Sequence, residues 1–90
     1  MKGDIVTLVT HVGEVIGRVV EDYADNIELA SPRLFVNSED GAGLAPGVCM
    51  TGMKDPDVGI FYKGSIVAVV ETAPELKKAW QQHTSGIVLQ

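Results

Sequence analysis

Ninety residues, of which 46% are apolar, 21% charged and 6% aromatic, describe one globular domain, residues 1–90, and exclude a disordered chain. A net charge of −5 excludes the basic field that gives generic nucleic-acid affinity, so any such function needs a local site. The single cysteine, Cys49, excludes an intrachain disulfide and a cysteine-based zinc site within one chain.

The chain opens with Met1-Lys2-Gly3-Asp4, which lacks the charged-then-apolar pattern of a signal peptide. No apolar run approaches the ~20 residues that cross a bilayer. The expectation is a soluble, cytoplasmic protein with no membrane partner. A domain of this size buries only ~60–65% of its unfolded surface, so self-association would add needed stability.

Residues 4–12 alternate as a first strand, with Ile5, Thr7, Val9 and His11 on one face and Val6, Leu8, Thr10 and Val12 on the other. Gly13-Glu14 breaks the run. A second strand covers residues 15–22, and its mid-strand Gly17 calls for a bend or a close backbone approach. Asp22-Tyr23-Ala24-Asp25-Asn26 is a turn, since Asp and Asn tolerate left-handed geometry and bond nearby backbone. A third strand, residues 27–36, is interrupted by Ser31-Pro32, which predicts an edge position or a bulge there.

Residues 37–57 hold four glycines and two prolines without a sustained period. They read as a long loop, functional or mobile, with Val48-Cys49-Met50 as an anchor or short strand. A fourth strand (58–62) and a fifth (65–71) follow, joined by a tight turn at Lys63-Gly64. The fifth is apolar on both faces from Ile66 to Val70. Either it is the central strand, or another element or subunit covers its second face. A helix over about 73–84 then begins with Thr72 as cap, Pro74 in the first turn and Glu75 closing a capping box. Leu76, Ala79, Trp80 and His83 form its apolar face, with Trp80 and Leu76 as its anchor. Gly86 stops it, and Ile87-Val88-Leu89 docks on the barrel or on a neighbour.

Two segments carry a resemblance. The first has Gly17, then Asp22, Asn26, Ile27 and Leu29; the second has Ile60-Phe61-Tyr62, Lys63-Gly64, Val67 and Val70. In order and separation they resemble the two motifs of the Sm/Sm-like family, which includes the Hfq-like proteins, over about residues 4–71. The chain departs from the family pattern: the Gly17-to-Asp22 spacing is one residue shorter, the usual N-terminal helix is absent, the loop between the third and fourth strands is long, and two turn positions differ. Asp25 stands where Met is common, and Ala24 stands where a base-stacking aromatic or His is usual, with Tyr23 one residue earlier as a substitute.

The resemblance implies a mainly β fold: a small, strongly bent, five-stranded Sm-like (SH3-like) open barrel, here with a C-terminal helix. It implies a homo-oligomeric ring of about five to seven subunits, the fourth strand of one pairing with the fifth of the next. It also implies that Asp22, Tyr23, Asn26, Lys63 and Gly64 contact single-stranded RNA, with U- or A-rich sequence as the candidate ligand. Asn26 would supply amide hydrogen bonds, Lys63 charge, Gly64 close backbone approach and Tyr23 a stacking surface, while Asp22 orients the turn by accepting from backbone N–H groups. Against this stands a plainer reading, since Asp, Asn and Lys-Gly suit tight turns in any protein.

Other candidates read as structural. His11 and His83 stand alone, and the acidic residues Glu39-Asp40 and Asp55-Pro56-Asp57 read as a solvated loop rather than a cation site. Cys49 has no His near it in sequence, and Gly13-Glu14-Val15-Ile16-Gly17 lacks the Lys-Ser/Thr and helix of a phosphate loop. No catalytic residues, metal or cofactor are expected. The function expected is a non-enzymatic RNA chaperone or scaffold in a ribonucleoprotein. The alternative is a structural or protein-interaction ring that has lost RNA readout.

Overall fold

The computed structural model describes residues 1–85; the expected helix stop at Gly86 and the docking of Ile87-Val88-Leu89 lie outside the described residues. The chain forms β1 (Ile5–Thr10), β2 (Gly13–Asp22), β3 (Asn26–Ser38), β4 (Gly41–Leu44), β5 (Val58–Tyr62), a 3₁₀ turn at Lys63–Ser65, β6 (Ile66–Glu71) and α1 (Pro74–Ser85). All ladders are antiparallel. The order is β4-β3-β2-β1-β6, with β5 also on β3, and the sheet is not closed. The fold is therefore mainly β with a C-terminal helix, in six strands rather than five.

The added strand comes from the stretch expected to be loop. β3 runs on to Ser38 and hairpins into β4, pairing Phe35 with Leu44 and Ser38 with Gly41. Ser38 Oγ accepts from the Asp40 N–H and donates to the Gly41 carbonyl, and Gly41 takes φ 121°, a value that favours glycine. The Val48-Cys49-Met50 stretch is not a strand, though Val48 does pack on the core.

Two apolar clusters flank the sheet. Val6, Leu8, Val15, Val19, Ile27 and Leu29 form the core on the inner face, with Phe61 and Ile66 packed against it. On the other face Ile5 and Ile16 pack under Trp80, with Leu76 and Leu44 beside them. That is why β1 and β2 are apolar on both faces.

The β2–β3 ladder shifts register at Gly17. Ile16 pairs with Arg33 and Arg18 with Ala30, so Gly17 faces two residues, Ser31 and Pro32. This is a bulge inside a fully flanked strand, not an edge. Ser31 takes a left-handed φ of 49°. A Cβ on Gly17 would sit 3.0 Å from Leu29 Cβ and 3.2 Å from the Ala30 carbonyl, so the close approach requires glycine. The bulge frees two carbonyls that side chains cap. Trp80 Nε1 donates to the Ser31 carbonyl at 2.9 Å, and Arg33 Nη1 to that of Pro32 at 3.0 Å.

The helix start differs from the expected capping box. Ala73 precedes the helix, its carbonyl accepting from the Leu76 and Lys77 N–H groups. Thr72 is buried, and its hydroxyl is hydrogen-bonded to that of Thr7 at 2.9 Å. A buried hydroxyl bonds where it is packed, and that places it against β1 rather than over the helix end. Leu76 and Trp80 anchor the helix as expected, but Ala79 and His83 are exposed. Among the described residues no helix is long and apolar enough to cross a membrane.

Candidate functional site

The turn between β2 and β3 and the 3₁₀ turn between β5 and β6 lie 40 residues apart in sequence and come together in space. β5 pairs with the first half of β3, setting Tyr62 opposite Asn26 and Phe61 opposite Ile27. The Tyr23 N–H donates to the Asn26 carbonyl at 2.8 Å and closes the first turn. The Lys63 N–H donates to the Asp25 carbonyl at 2.9 Å and ties the second turn to the first. Ser65 Oγ donates to the Tyr62 carbonyl at 2.8 Å and braces the 3₁₀ turn.

This backbone frame brings Asp22, Tyr23, Asn26, Lys63 and Gly64 to one surface. Asp22, Tyr23, Lys63 and Gly64 are exposed and Asn26 is half-buried. Tyr23 presents its ring to solvent at 49% exposure, enough for one face to stack. Gly64 has open space where a Cβ would be, and its backbone conformation suits any residue. Nothing local demands glycine there, and a ligand could approach the main chain.

Asp22 does not take the role expected of it. Its carboxylate lies 2.7 Å from Lys63 Nζ instead of on turn N–H groups. The reason is geometric: the β3–β5 pairing brings Lys63 across from the end of β2. Asn26 Nδ2 donates to Asp25 Oδ1 at 2.7 Å, so half of the amide is already committed. Asp25 is thus part of the cluster through both its carbonyl and its carboxylate. Its position directly before Asn26 was the signal for it.

Charge in this region is paired and biased negative. Next to Asp22, Glu21 holds Lys2 at 2.9 Å, and hydrogen bonding to Glu21, helped by its charge, raises the Lys2 ammonium above its ordinary pKa. Lys63 is held by Asp22, and Asp25 and Glu28 stand nearby on the turn and on β3. Among the described residues, the two lysines here, Lys2 and Lys63, both meet an arriving phosphate already paired.

Beyond the turns, and among the described residues, β5 pairs on one side alone, with β3, and β6 on one side alone, with β1. Their outward sides carry apolar residues in solvent. Val58, Ile60 and Tyr62 are 44–61% exposed on β5, and Val67, Val69 and Val70 are 37–65% exposed on β6. Among the described residues, the two-faced apolar fifth strand of the sequence is therefore an edge, not a central strand.

The remaining candidates do not gather. His11, His83 and Cys49 are exposed and apart. Asp55 pairs with buried Arg33 at 3.2 Å rather than with Glu39 or Asp40. Among the described residues no three His, Cys, Asp or Glu side chains could hold a metal ion. No protein-family profile and no curated protein matches this sequence.

Proposed function

We propose that this chain is the subunit of a homo-oligomeric Sm-like ring, cytoplasmic and non-enzymatic, that holds single-stranded RNA at the Asp22–Asn26 and Lys63–Gly64 turns as a chaperone or scaffold. The observation that carries it is the pair of free strand edges. Among the described residues, β5 and β6 each leave one row of backbone groups unpaired beside exposed apolar side chains. Such edges template pairing with another chain, and a closed ring of copies satisfies both at once. The β5 of one copy against the β6 of the next would cover Val58, Ile60 and Tyr62 together with Val67, Val69 and Val70.

The RNA part is supported by the convergence of Tyr23, Asn26, Lys63 and Gly64 from two distant segments onto one exposed surface. Repetition round a ring turns a weak site into a useful one. A second reading, a structural or protein-interaction ring without RNA readout, draws on the Asp22–Lys63 pair and the net charge of −5.

Size-exclusion chromatography with light scattering tests the ring: a discrete oligomer is expected, and a clean monomer at tens of micromolar rejects it. Anisotropy titration with labelled oligo(U) and oligo(A) across salt tests the RNA site. Asn26→Ala combined with Lys63→Ala should weaken binding at least tenfold. No binding at low salt, or binding indifferent to that double variant, selects the structural ring.

A further inference from the structure

We propose that Asp22 sets the affinity of the turn surface for an anionic chain, by holding Lys63 in an internal ion pair that a phosphate group must displace. The inference rests on the RNA reading above and concerns the same surface.

The first argument is that the ion pair is not needed to hold the turns together. The Lys63 N–H bond to the Asp25 carbonyl and the pairing of Asn26 with Tyr62 already join them through the main chain. The Lys63 side chain is left over from that frame and could extend into solvent. Instead its ammonium lies 2.7 Å from Asp22 Oδ1.

The second argument is the strength of the pair. Both side chains are 39% exposed, and exposed pairs shift an equilibrium by about fivefold or less. The contact can open, but it competes for the same ammonium that a phosphate would use. The carboxylates of Asp22 and Asp25 also repel the phosphate at close range. Removing the Asp22 charge should then both free the lysine and reduce the repulsion. In a ring the effect recurs at every subunit that the RNA touches.

The test uses Asp22→Asn, which keeps the side chain's shape and a hydrogen-bond acceptor while removing its charge. The probe is fluorescein-labelled oligo(U), with oligo(A) of equal length in parallel, titrated at several salt concentrations. The variant should bind about fivefold more tightly per engaged subunit at low salt. Its slope of log K against log salt should steepen by about 0.7 per engaged subunit, the value for one added phosphate contact on a single strand. Lys63→Ala should cost more in the Asp22→Asn background than in the wild type, and the gain should vanish in the double variant. A merely structural Asp22 gives no such coupling.

Thermal melting and light scattering establish that the variant keeps the fold and assembly; if Asp22→Asn fails that check, Asp22→Ser takes its place with the same expectation. A folded variant that binds no more tightly than the wild type overturns the proposal and leaves the RNA reading standing. No binding by wild type or variant at low salt overturns both.

Discussion

The two flanks of this sheet solve one problem in opposite ways. β3 has β2 on one side, and on its other side the chain itself occupies every stretch. β5 covers Asn26–Ala30 and β4 covers Phe35–Ser38. In the gap between them the Ser31 N–H donates to the Asp57 carbonyl at 2.8 Å. The Leu34 N–H donates to Gly47 at 3.0 Å, and the Leu34 carbonyl accepts from Ala45 at 2.8 Å. The segment between β4 and β5, which looked like a free loop, is a strap along β3. The helix covers the face beside it. On β5 and β6, among the described residues, nothing of the kind happens: both outward edges are unpaired, and Val, Ile and Tyr side chains of these strands are exposed. The ring proposed above would cover these edges with a second copy of the chain.

The largest effect should come from breaking the closed side at Trp80. Its side chain is 4% exposed against Ile5 and Ile16, and its indole caps the bulged Ser31 carbonyl. Arg18 lies over the ring, 5.6 Å from the centroid. Trp80→Ala should cost about 3–5 kcal/mol, the range for deleting a buried aromatic. That is a large share of the ~5–15 kcal/mol that holds a small domain together. Urea unfolding followed by far-UV circular dichroism measures it, since the variant has no other tryptophan to report. A loss below about 1 kcal/mol would make the helix an ornament rather than the second layer of the fold.

A smaller effect is expected where the strap is pinned. Arg33 is 3% exposed, with Nη2 3.2 Å from Asp55 Oδ1 and Nε buried without a partner. Asp55 sits at φ 52°, which Asn tolerates as well as Asp. Asp55→Asn therefore removes the charge without adding strain. Because Asp55 is 68% exposed, water offsets part of the loss, and about 1 kcal/mol of destabilisation is expected. The amides of Ser31 and Leu34 should exchange with deuterium faster in the variant, while those of β1 stay unchanged. Equal protection at Leu34 would mean that the main-chain bonds hold the strap unaided.

How legible all this was depends on where each signal lives. β1, β2, β5 and β6 were readable because Val and Ile recur with strand spacing, and Gly17 announced its close approach by standing where a side chain belongs. Ser31-Pro32 announced a bulge, though not that Trp80 would cap it. β4 was not readable: Gly41-Ala42-Gly43 has no strand preference, and only the extension of β3 to Ser38 gives it a partner. Thr72 looked like a cap because its spacing to Glu75 is right, yet a buried contact with Thr7 took its hydroxyl. At the turns, the residue types and their convergence were legible from the two motifs. The Asp22–Lys63 pair was not, since it depends on a β3–β5 register that no local pattern specifies. Contacts between distant segments are the part that a one-dimensional reading leaves out.

The smallest effect on stability, and the sharpest test of the comparison, lies on the open side. Ile60 is 55% exposed on β5 and, among the described residues, belongs to neither core cluster. Ile60→Lys should change the unfolding free energy of the separated subunit by no more than about 0.5 kcal/mol, as surface substitutions do. Lysine on an edge is also a device by which sheets avoid pairing. In the proposed ring the same lysine would enter an apolar seam, a desolvation cost that the Glu28 carboxylate opposite it in the β3–β5 ladder offsets only in part. If the proposed ring forms, light scattering should therefore show the variant as a folded monomer under conditions that assemble the wild type. A variant that assembles as the wild type does would place Ile60 outside the contact, and the open flank would then need another cover. Val67→Lys, on the β6 edge, repeats the test from the other side of the seam. If only one of the two variants dissociates the assembly, the copies do not meet β5 to β6.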